Sequence, residues 1–215
     1  MEEQMEVSQT IALAWKEAWS DHTFKVKIIA GSIILLSIVI GMPFFFAHIE
    51  QKHGMPINDR LLQLIPAIDV SIPTFIVIWS MIALVLVRGM QDPMLFMVFF
   101  CSFILQSLSR MLTITLLPLE APAGLIPLKD PISSLFYGGS EVFITKDLFY
   151  SGHTSLQFLI FLCLTKKTDR IFGLIATILV GCFVLIQHVH YTIDVLFAFV
   201  FTWMVYKMGK WLAAY

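Results

Sequence analysis

The sequence predicts an all-α fold: a polytopic membrane protein built as a bundle of six transmembrane helices. Of its 215 residues, 58% are hydrophobic and 13% are charged, whereas a soluble domain averages about 25% charged residues. Long apolar runs recur along the chain between polar turns. About 20 apolar residues are enough for a helix to cross the hydrocarbon core of a bilayer. Because no polar block is long enough for a second domain, residues 1–215 are expected to form a single membrane domain.

The chain begins with an amphipathic segment, residues 1–24. Ile11, Trp15 and Trp19 recur at four-residue spacing, with charged residues on the other side of the predicted helix. Tryptophans on the apolar side of such a helix are typical of the membrane interface. We therefore predict an N-terminal amphipathic interfacial helix. Packing of the same helix against the bundle is the alternative.

Six apolar runs are the predicted transmembrane helices. They extend over about Ile28–Ala47, Ile72–Val87, Met94–Leu116, Ile144–Thr165, Ile171–Gln187 and His190–Tyr206. The longest connection, residues 117–146, contains several prolines, which exclude one continuous helix there. The candidate catalytic and substrate-binding residues described below fall within about residues 105–206, which is therefore the predicted catalytic half of the domain.

The distribution of basic residues indicates how the bundle is oriented. Short loops rich in lysine and arginine remain cytoplasmic. If both termini are cytoplasmic, most of the 14 basic residues fall on the cytoplasmic side, namely Lys16, Lys25, Lys27, Arg88, Lys166, Lys167, Arg170, Lys207 and Lys210. We therefore predict a multi-pass membrane protein with both termini in the cytoplasm. The loop at 117–146 then lies at the non-cytosolic face.

Ionisable residues near the ends of the predicted spans converge on that same face. Arg110 lies in the last turns of span three, and Asp147 and His153 lie in the first turns of span four. His190 and Asp194 lie at the turn from span five to span six. Burying such groups at bilayer depth is costly, so they form a functional-site hypothesis by default. The sequence therefore predicts a polar pocket at one membrane interface.

The residue types in this pocket indicate phosphoryl-group transfer. Asp194 follows His190 by four residues, so on a helix it would lie on the same face and orient the imidazole. An imidazole held in this way can attack phosphorus, and His153 can exchange protons with the leaving and accepting oxygens. His153, His190 and Asp194 are therefore the predicted catalytic residues.

Predicted substrate-binding residues surround these groups. Arg110 can clamp a phosphate, and Asp147 lies at the same face. If Ser151 and Gly152 begin span four, their N–H groups could point at an anion. His188 would point elsewhere on a regular helix, so it is expected to be either structural or in contact with a lipid headgroup.

Other interpretations of these histidines stay open. A buried histidine can be a satisfied structural residue, and histidines with carboxylates also suit zinc. Their convergence with an arginine favours catalysis without a metal or other cofactor. Cys101, Cys163 and Cys182 are unevenly spaced within predicted spans and are expected to be apolar core residues. A net charge of −1 does not indicate nucleic-acid binding.

Two motifs carry a family resemblance: Tyr150-Ser151-Gly152-His153-Thr154 and His190-Tyr191-Thr192-Ile193-Asp194-Val195. They resemble the sphingomyelin synthase family, within the type-2 phosphatidic acid phosphatase superfamily. Arg110-Met111-Leu112-Thr113-Ile114, followed by Leu117-Pro118-Leu119-Glu120-Ala121-Pro122, is similar to that family's arginine-containing motif. Asp147 matches the aspartate six residues before the histidine. The resemblance covers roughly residues 105–200.

The resemblance implies a six-span bundle with the three predicted catalytic residues as a His-His-Asp triad at the non-cytosolic face. It also implies transfer of a phospho-headgroup from a glycerophospholipid to ceramide, with release of diacylglycerol. Tyr150 stands where the lipid phosphatases of the superfamily have proline. Phe183 and Val184 stand where their Ser-Arg pair would fall. The lost arginine weakens the case for a phosphomonoester phosphatase, which must hold a dianion.

The function expected from the sequence is therefore that of a membrane phosphotransferase that acts through a phosphohistidine intermediate. Its expected partners are the membrane, a glycerophospholipid donor and a ceramide or diacylglycerol-like acceptor, with no nucleic acid. A lipid phosphatase or phospholipase C-like hydrolase, with water as acceptor, is the alternative. The third hypothesis is a lipid-binding or transport protein that has the same pocket but no catalytic activity.

Overall fold

The computed structural model of the chain describes residues 2–128 and 144–214, with side chains from residue 8 onward. Within these ranges the chain forms seven α-helices and no strand: α1 (Glu2–Ser20), α2 (His22–Glu50), α3 (Ser71–Gln91), α4 (Pro93–Leu116), α5 (Gly152–Cys163), α6 (Lys167–Ile186) and α7 (Thr192–Ala214). The predicted helical fold is confirmed for this part of the chain. Residues 129–143 of the long predicted loop lie outside the described residues, as do the side chains of residues 1–7.

Five of these helices are long and apolar enough to cross a membrane, namely α2, α3, α4, α6 and α7. The fourth predicted span differs, because α5 has 12 residues and is therefore about 18 Å long. The predicted start of this span at Ile144 is wrong, since residues 144–151 are not helical. The carbonyls of Phe149 and Tyr150 instead accept hydrogen bonds from side chains of α4. A sixth crossing stays a prediction.

Helices α4, α5, α6 and α7 form the centre of the bundle. Helix α4 packs along α7, and α5 packs against both α6 and α7. A Cβ added at Gly209 would lie 2.0 Å from Ser102 Oγ, so glycine lets α7 approach α4 closely. Helix α3 packs on α4, α5 and α6, whereas α2 packs mainly on α4. The outermost position of α2 leaves a space between α2 and α3.

An ion pair joins α3 to α6 at the end of the bundle that lies away from the start of α5. Arg88 Nε lies 2.6 Å from Asp169 Oδ2, and Arg88 Nη2 lies 3.2 Å from Oδ1. The aspartate side chain is 9% exposed. A two-bond arginine–carboxylate contact fixes the relative orientation of the two helices.

Removal of Arg88 is expected to destabilise the fold. Arg88→Ala should lower the free energy of unfolding by about 3 kcal/mol, because it leaves the Asp169 carboxylate buried without its partner. Thermal unfolding in detergent would measure this loss. The double variant Arg88→Ala/Asp169→Ala should recover part of it, and a double variant less stable than the single one would contradict the expectation.

Helix α1 packs against the turn between α3 and α4. Trp15 Nε1 donates to the carbonyl oxygen of Met90 at 2.7 Å, and its ring contacts Phe24 and Phe96 edge-on. These contacts support packing against the bundle, which was the alternative for this helix. Trp19 is 44% exposed, and placement of the helix in the membrane interface stays a prediction.

Two loop segments, residues 51–70 and 117–128, cover the end of the bundle where α4 ends and α5 and α7 begin. The N–H of Met55 donates to Pro118 O at 3.0 Å, and the N–H of Glu120 donates to Met55 O at 3.1 Å. Backbone pairing between the two segments holds them together at this end. It is also the end at which the predicted site residues lie.

Candidate active site

Arg110, near the end of α4, is bonded to the segment that leads into α5. Its Nε donates to Tyr150 O at 3.0 Å, and its Nη2 pairs with Asp147 Oδ1 at 2.5 Å. A Cβ added at Gly152 would lie 2.5 Å from Arg110 Cζ, so a larger residue there would displace the guanidinium. The structure therefore brings together three predicted substrate-binding residues, with Asp147 as the partner of the arginine.

The two predicted catalytic histidines lie next to each other. The ring centroids of His153 and His190 are 6.3 Å apart, and their planes make an angle of 63°. Phosphoryl transfer between such rings needs one nitrogen about 3 to 3.5 Å from phosphorus and the other about 2.6 to 3.2 Å from an oxygen on it. The separation of the rings is compatible with one phosphate group in contact with both.

Asp194 contacts both His190 and the backbone that begins α7. Its Oδ2 lies 3.5 Å from His190 Nδ1 and accepts a hydrogen bond from the Tyr191 N–H at 2.9 Å. The expectation that His190 and Asp194 share one helix face is wrong, because α7 begins at Thr192. The two residues meet across the first turn, where the carboxylate caps the helix as in a capping box. The aspartate is fully buried, so this contact is shielded from water.

Ser151 connects the two histidine segments. Its N–H donates to the backbone oxygen of Asp194 at 3.1 Å, and its side chain caps α5 by accepting from the Thr154 N–H. The expectation that the Ser151 N–H points at an anion is therefore corrected, because α7 already uses this donor. Gly152, beside Arg110, is left as the candidate backbone donor to a phosphate.

His188 lies apart from the other predicted residues. Its ring is 7% exposed, with Nδ1 2.9 Å from Ala123 O and Nε2 2.8 Å from Ile65 O. The residue adopts a φ of 56°, a conformation that non-glycine residues seldom take. Because both ring nitrogens face loop carbonyls, the structure favours the structural alternative for His188. Contact with a lipid headgroup stays a prediction.

Asp59, which no sequence motif indicates, holds the start of α7 from a distant loop. Its Oδ2 accepts from the Thr192 N–H at 2.6 Å, and its Oδ1 accepts from the N–H groups of Leu61 and Leu62. A carboxylate at this position satisfies a free helix donor and complements the helix dipole. Because its partner Thr192 is 133 residues away, no local sequence pattern indicates this contact.

The ionisation of Asp59 should make stability depend on acid pH. Burial raises the pKa of Asp59, but the hydrogen bonds from Thr192 and the neighbouring backbone outweigh this effect and lower the pKa below its ordinary value of 3.8. The stabilisation is present above the unfolded-state pKa and is lost as the pH falls through the lower folded-state pKa. We expect the unfolding temperature to decrease as the pH is lowered from about 5 to about 3. The decrease should be smaller in Asp59→Asn.

Thermal unfolding across this pH range in detergent would test the contribution of Asp59. Glu17→Gln, which changes an exposed carboxylate on α1, is the control and should keep the wild-type dependence. If Asp59→Asn has the same pH dependence as the wild type, the aspartate does not anchor α7.

A largely apolar cavity of about 370 Å³ extends from the site between α2, α3 and α4. Arg110, Asp147, Gly152 and His153 line its polar end, and the rest is lined mainly by apolar side chains of the three helices. Its volume is within the range of ligand pockets, about 300 to 1,000 Å³. Phe75 of α3 packs against the His153 ring with centroids 6.2 Å apart. A lipid tail in this cavity would place its polar head beside His153 and Arg110.

Comparison with known proteins gives one finding for this part of the chain. Residues 146–211 match the family described as PAP2 superfamily C-terminal. This match supports the type-2 phosphatidic acid phosphatase superfamily. The PAP2-like segment contains Asp147, both predicted catalytic histidines and Asp194, whereas Arg110 lies outside it. No curated protein and no solved structure matches the chain.

The PAP2-like segment and the membrane-spanning helices together indicate a lipid enzyme of the phosphatase or phosphotransferase type. The match does not distinguish the sphingomyelin synthase family from other members of the superfamily. Among the described residues, no group of three or more histidine, cysteine, aspartate or glutamate side chains is placed to hold a metal ion.

Proposed function

We propose that the protein is a membrane phosphotransferase. It moves a phosphocholine- or phosphoethanolamine-type headgroup from a glycerophospholipid to ceramide or a similar lipid hydroxyl, and it releases diacylglycerol. The observation that carries the proposal is the pairing of Arg110 with Asp147, beside His153 at the polar end of an apolar cavity. The resemblance of the two histidine motifs to the sphingomyelin synthase family supports the same function.

The charge of the Arg110–Asp147 pair supports a phosphodiester donor. A phosphomonoester carries about −1.5 to −2 charges at neutral pH, whereas a phosphodiester carries one. Because Asp147 offsets most of the guanidinium charge, the pair is poorly suited to hold a dianion. A phosphodiester needs less compensating charge.

The proposed reaction has two steps, in which His190 is the nucleophile. Because Nδ1 of His190 faces Asp194, Nε2 is the nitrogen that attacks phosphorus, and the aspartate stabilises the charge that develops on the ring. The bond between phosphorus and the diacylglycerol oxygen breaks, and His153 donates a proton to that oxygen. The acceptor hydroxyl then attacks phosphohistidine 190, its proton passes to His153, and the nitrogen–phosphorus bond breaks.

The second candidate is a lipid phosphatase or phospholipase C-like hydrolase in which water takes the place of the acceptor hydroxyl. The match of residues 146–211 to the PAP2 superfamily supports this function as well. The two candidates share the first chemical step and differ in the acceptor.

An assay with purified protein in lipid nanodiscs would separate the candidates. The protein is incubated with a labelled glycerophospholipid, with and without ceramide. Formation of a phosphosphingolipid together with diacylglycerol would support transfer. Diacylglycerol formed at the same rate without ceramide would support the hydrolase, and no turnover of either kind would support a lipid-binding protein.

Metal chelators are expected to leave the transfer rate within about twofold of its untreated value, because the proposed steps need imidazole, guanidinium and carboxylate groups alone. The measurement is the same transfer assay after dialysis against EDTA. Strong inhibition that zinc reverses would restore the zinc alternative and overturn the proposed mechanism.

A further inference from the structure

Glu50, the last residue of α2, holds the segment that leads into the candidate active site. Its Oε1 accepts hydrogen bonds from the backbone N–H groups of Thr145 and Lys146, at 2.6 and 2.8 Å. Its Oε2 accepts from the Thr145 hydroxyl at 2.9 Å. Hydrogen bonds to a charged acceptor are stronger than those between neutral groups. The carboxylate therefore restrains two consecutive residues of a segment that is not helical.

The position of this carboxylate is not explained by α2 itself. Glu50 lies at the C-terminal end of the helix, where the helix dipole makes a negative charge unfavourable. Its partner Thr145 is 95 residues away along the chain. A charge that is unfavourable for its own helix but bonded three times to another segment indicates a role in that segment.

The residue that follows the two restrained positions is Asp147, the partner of Arg110. Asp147 Oδ1 pairs with Arg110 Nη2, and Arg110 Nε donates to Tyr150 O. Among the described residues no hydrogen bond uses Arg110 Nη1, so this is the nitrogen that can meet a phosphate. Because a guanidinium is planar, the position of Asp147 sets the direction in which Nη1 points.

We propose that Glu50 is a positioning residue for the Arg110–Asp147 pair. By restraining residues 145 and 146, it places Asp147, which in turn orients the guanidinium toward the phosphate of a lipid headgroup. The inference rests on the proposed function, because it assigns Glu50 to the phosphate site of that reaction.

The segment has further restraints that should preserve the fold when Glu50 is replaced. Lys146 Nζ donates to Lys52 O at 2.6 Å, and the Ser151 N–H donates to Asp194 O at 3.1 Å. Removal of the Glu50 carboxylate should therefore loosen the segment while both of its ends stay attached.

Binding of two matched lipids would test this role without turnover. They are a glycerophospholipid with a phosphocholine headgroup and a diacylglycerol with the same acyl chains. Binding is measured in detergent by competition with radiolabelled diacylglycerol, with His190→Ala as the parent protein. Glu50→Ala should lower the affinity for the phospholipid about tenfold, the effect of one lost charge-assisted hydrogen bond, and the affinity for diacylglycerol less than twofold. An equal loss for both lipids would mean that Glu50 only holds α2, and it would overturn the proposal.

Glu50→Gln should keep the parent's affinity for the phospholipid within about threefold. The amide oxygen can accept from the same two N–H groups, and the amide nitrogen can donate to the Thr145 hydroxyl. A loss as large as that in Glu50→Ala would show that the residue acts through its charge instead of its hydrogen bonds, and it would reject a positioning role.

Asp92→Ala is the matched control for a merely structural effect. Asp92 Oδ1 accepts from the N–H groups of Met94 and Leu95, at the end of α4 that is far from Arg110. The variant should lower the unfolding temperature about as much as Glu50→Ala does, and both lipid affinities should stay at the parent's values.

A double-mutant cycle tests whether Glu50 acts through Asp147. In a protein that already carries Asp147→Ala, Glu50→Ala should change the phospholipid affinity less than twofold. A further tenfold loss would contradict the proposed route. If Glu50→Ala does not fold, Thr145→Ala replaces it. This variant lacks one of the three hydrogen bonds and should weaken phospholipid binding about threefold, with diacylglycerol binding unchanged.

Failure of this inference is distinguishable from failure of the proposed function. Headgroup transfer by the wild type, with unchanged phospholipid affinity in Glu50→Ala, rejects the positioning role and retains the transferase. A tenfold loss confined to the phospholipid, without headgroup transfer by the wild type, retains the positioning role and rejects the transferase.

Discussion

His190→Ala is expected to reduce headgroup transfer by about 10⁴-fold or more, because the variant lacks the nitrogen that forms the bond to phosphorus. In the structure the His190 ring is 3% exposed, next to His153 and Asp194. The transfer assay in nanodiscs measures the rate, and size-exclusion chromatography shows whether the variant keeps its fold.

The control for this prediction is His48→Ala, which changes an exposed histidine in the last turn of α2. It should transfer headgroups at the wild-type rate. A donor with radioactive phosphorus should also label the wild-type protein in the absence of acceptor, and His190→Ala should not become labelled. Transfer by His190→Ala within tenfold of the wild-type rate would rule out His190 as the nucleophile.

The helices that could be predicted from the sequence have local signals at their ends. Helix α4 begins at Pro93, and the side chain of Asp92 accepts from the N–H groups of Met94 and Leu95, which is a typical helix start. The predicted span beginning at Met94 differs from this start by one residue. Helix α5 has such a signal too, because the side chain of Ser151 accepts from the Thr154 N–H. The prediction that this span begins at Ile144 did not use it and extended the helix back past Lys146 and Asp147.

Part of the site could be predicted because helix direction alone brings residues to one end of a bundle. Arg110 near the end of α4 and His153 at the start of α5 meet for this reason. Contacts that depend on hydrogen bonds between distant segments could not be predicted. Three contacts are of this kind. The Asp59 carboxylate accepts from the Thr192 N–H, and loop carbonyls surround the His188 ring. The Ser151 N–H donates to the backbone oxygen of Asp194 in α7.

Substitution of Asp194 is expected to separate its electrostatic role from its capping role. In Asp194→Asn the side-chain oxygen can still accept from the Tyr191 N–H, so the unfolding temperature should remain within about 2 °C of the wild type. The variant lacks the charge that orients His190 and stabilises its positive form. We expect headgroup transfer to fall by about 10³- to 10⁴-fold.

Asp194→Ala removes both roles of this carboxylate. It should lose transfer to the same extent as Asp194→Asn and should also lose about 1 to 2 kcal/mol of stability, because the buried Tyr191 N–H is left without its acceptor. Transfer assays and thermal unfolding on the two variants measure the two effects separately. Wild-type transfer by Asp194→Asn would show that the carboxylate is a helix cap alone. If the two variants are equally stable, the cap contributes little. The hydrogen bond from the Tyr191 N–H to the Asp194 side chain would then not be needed for α7 to form.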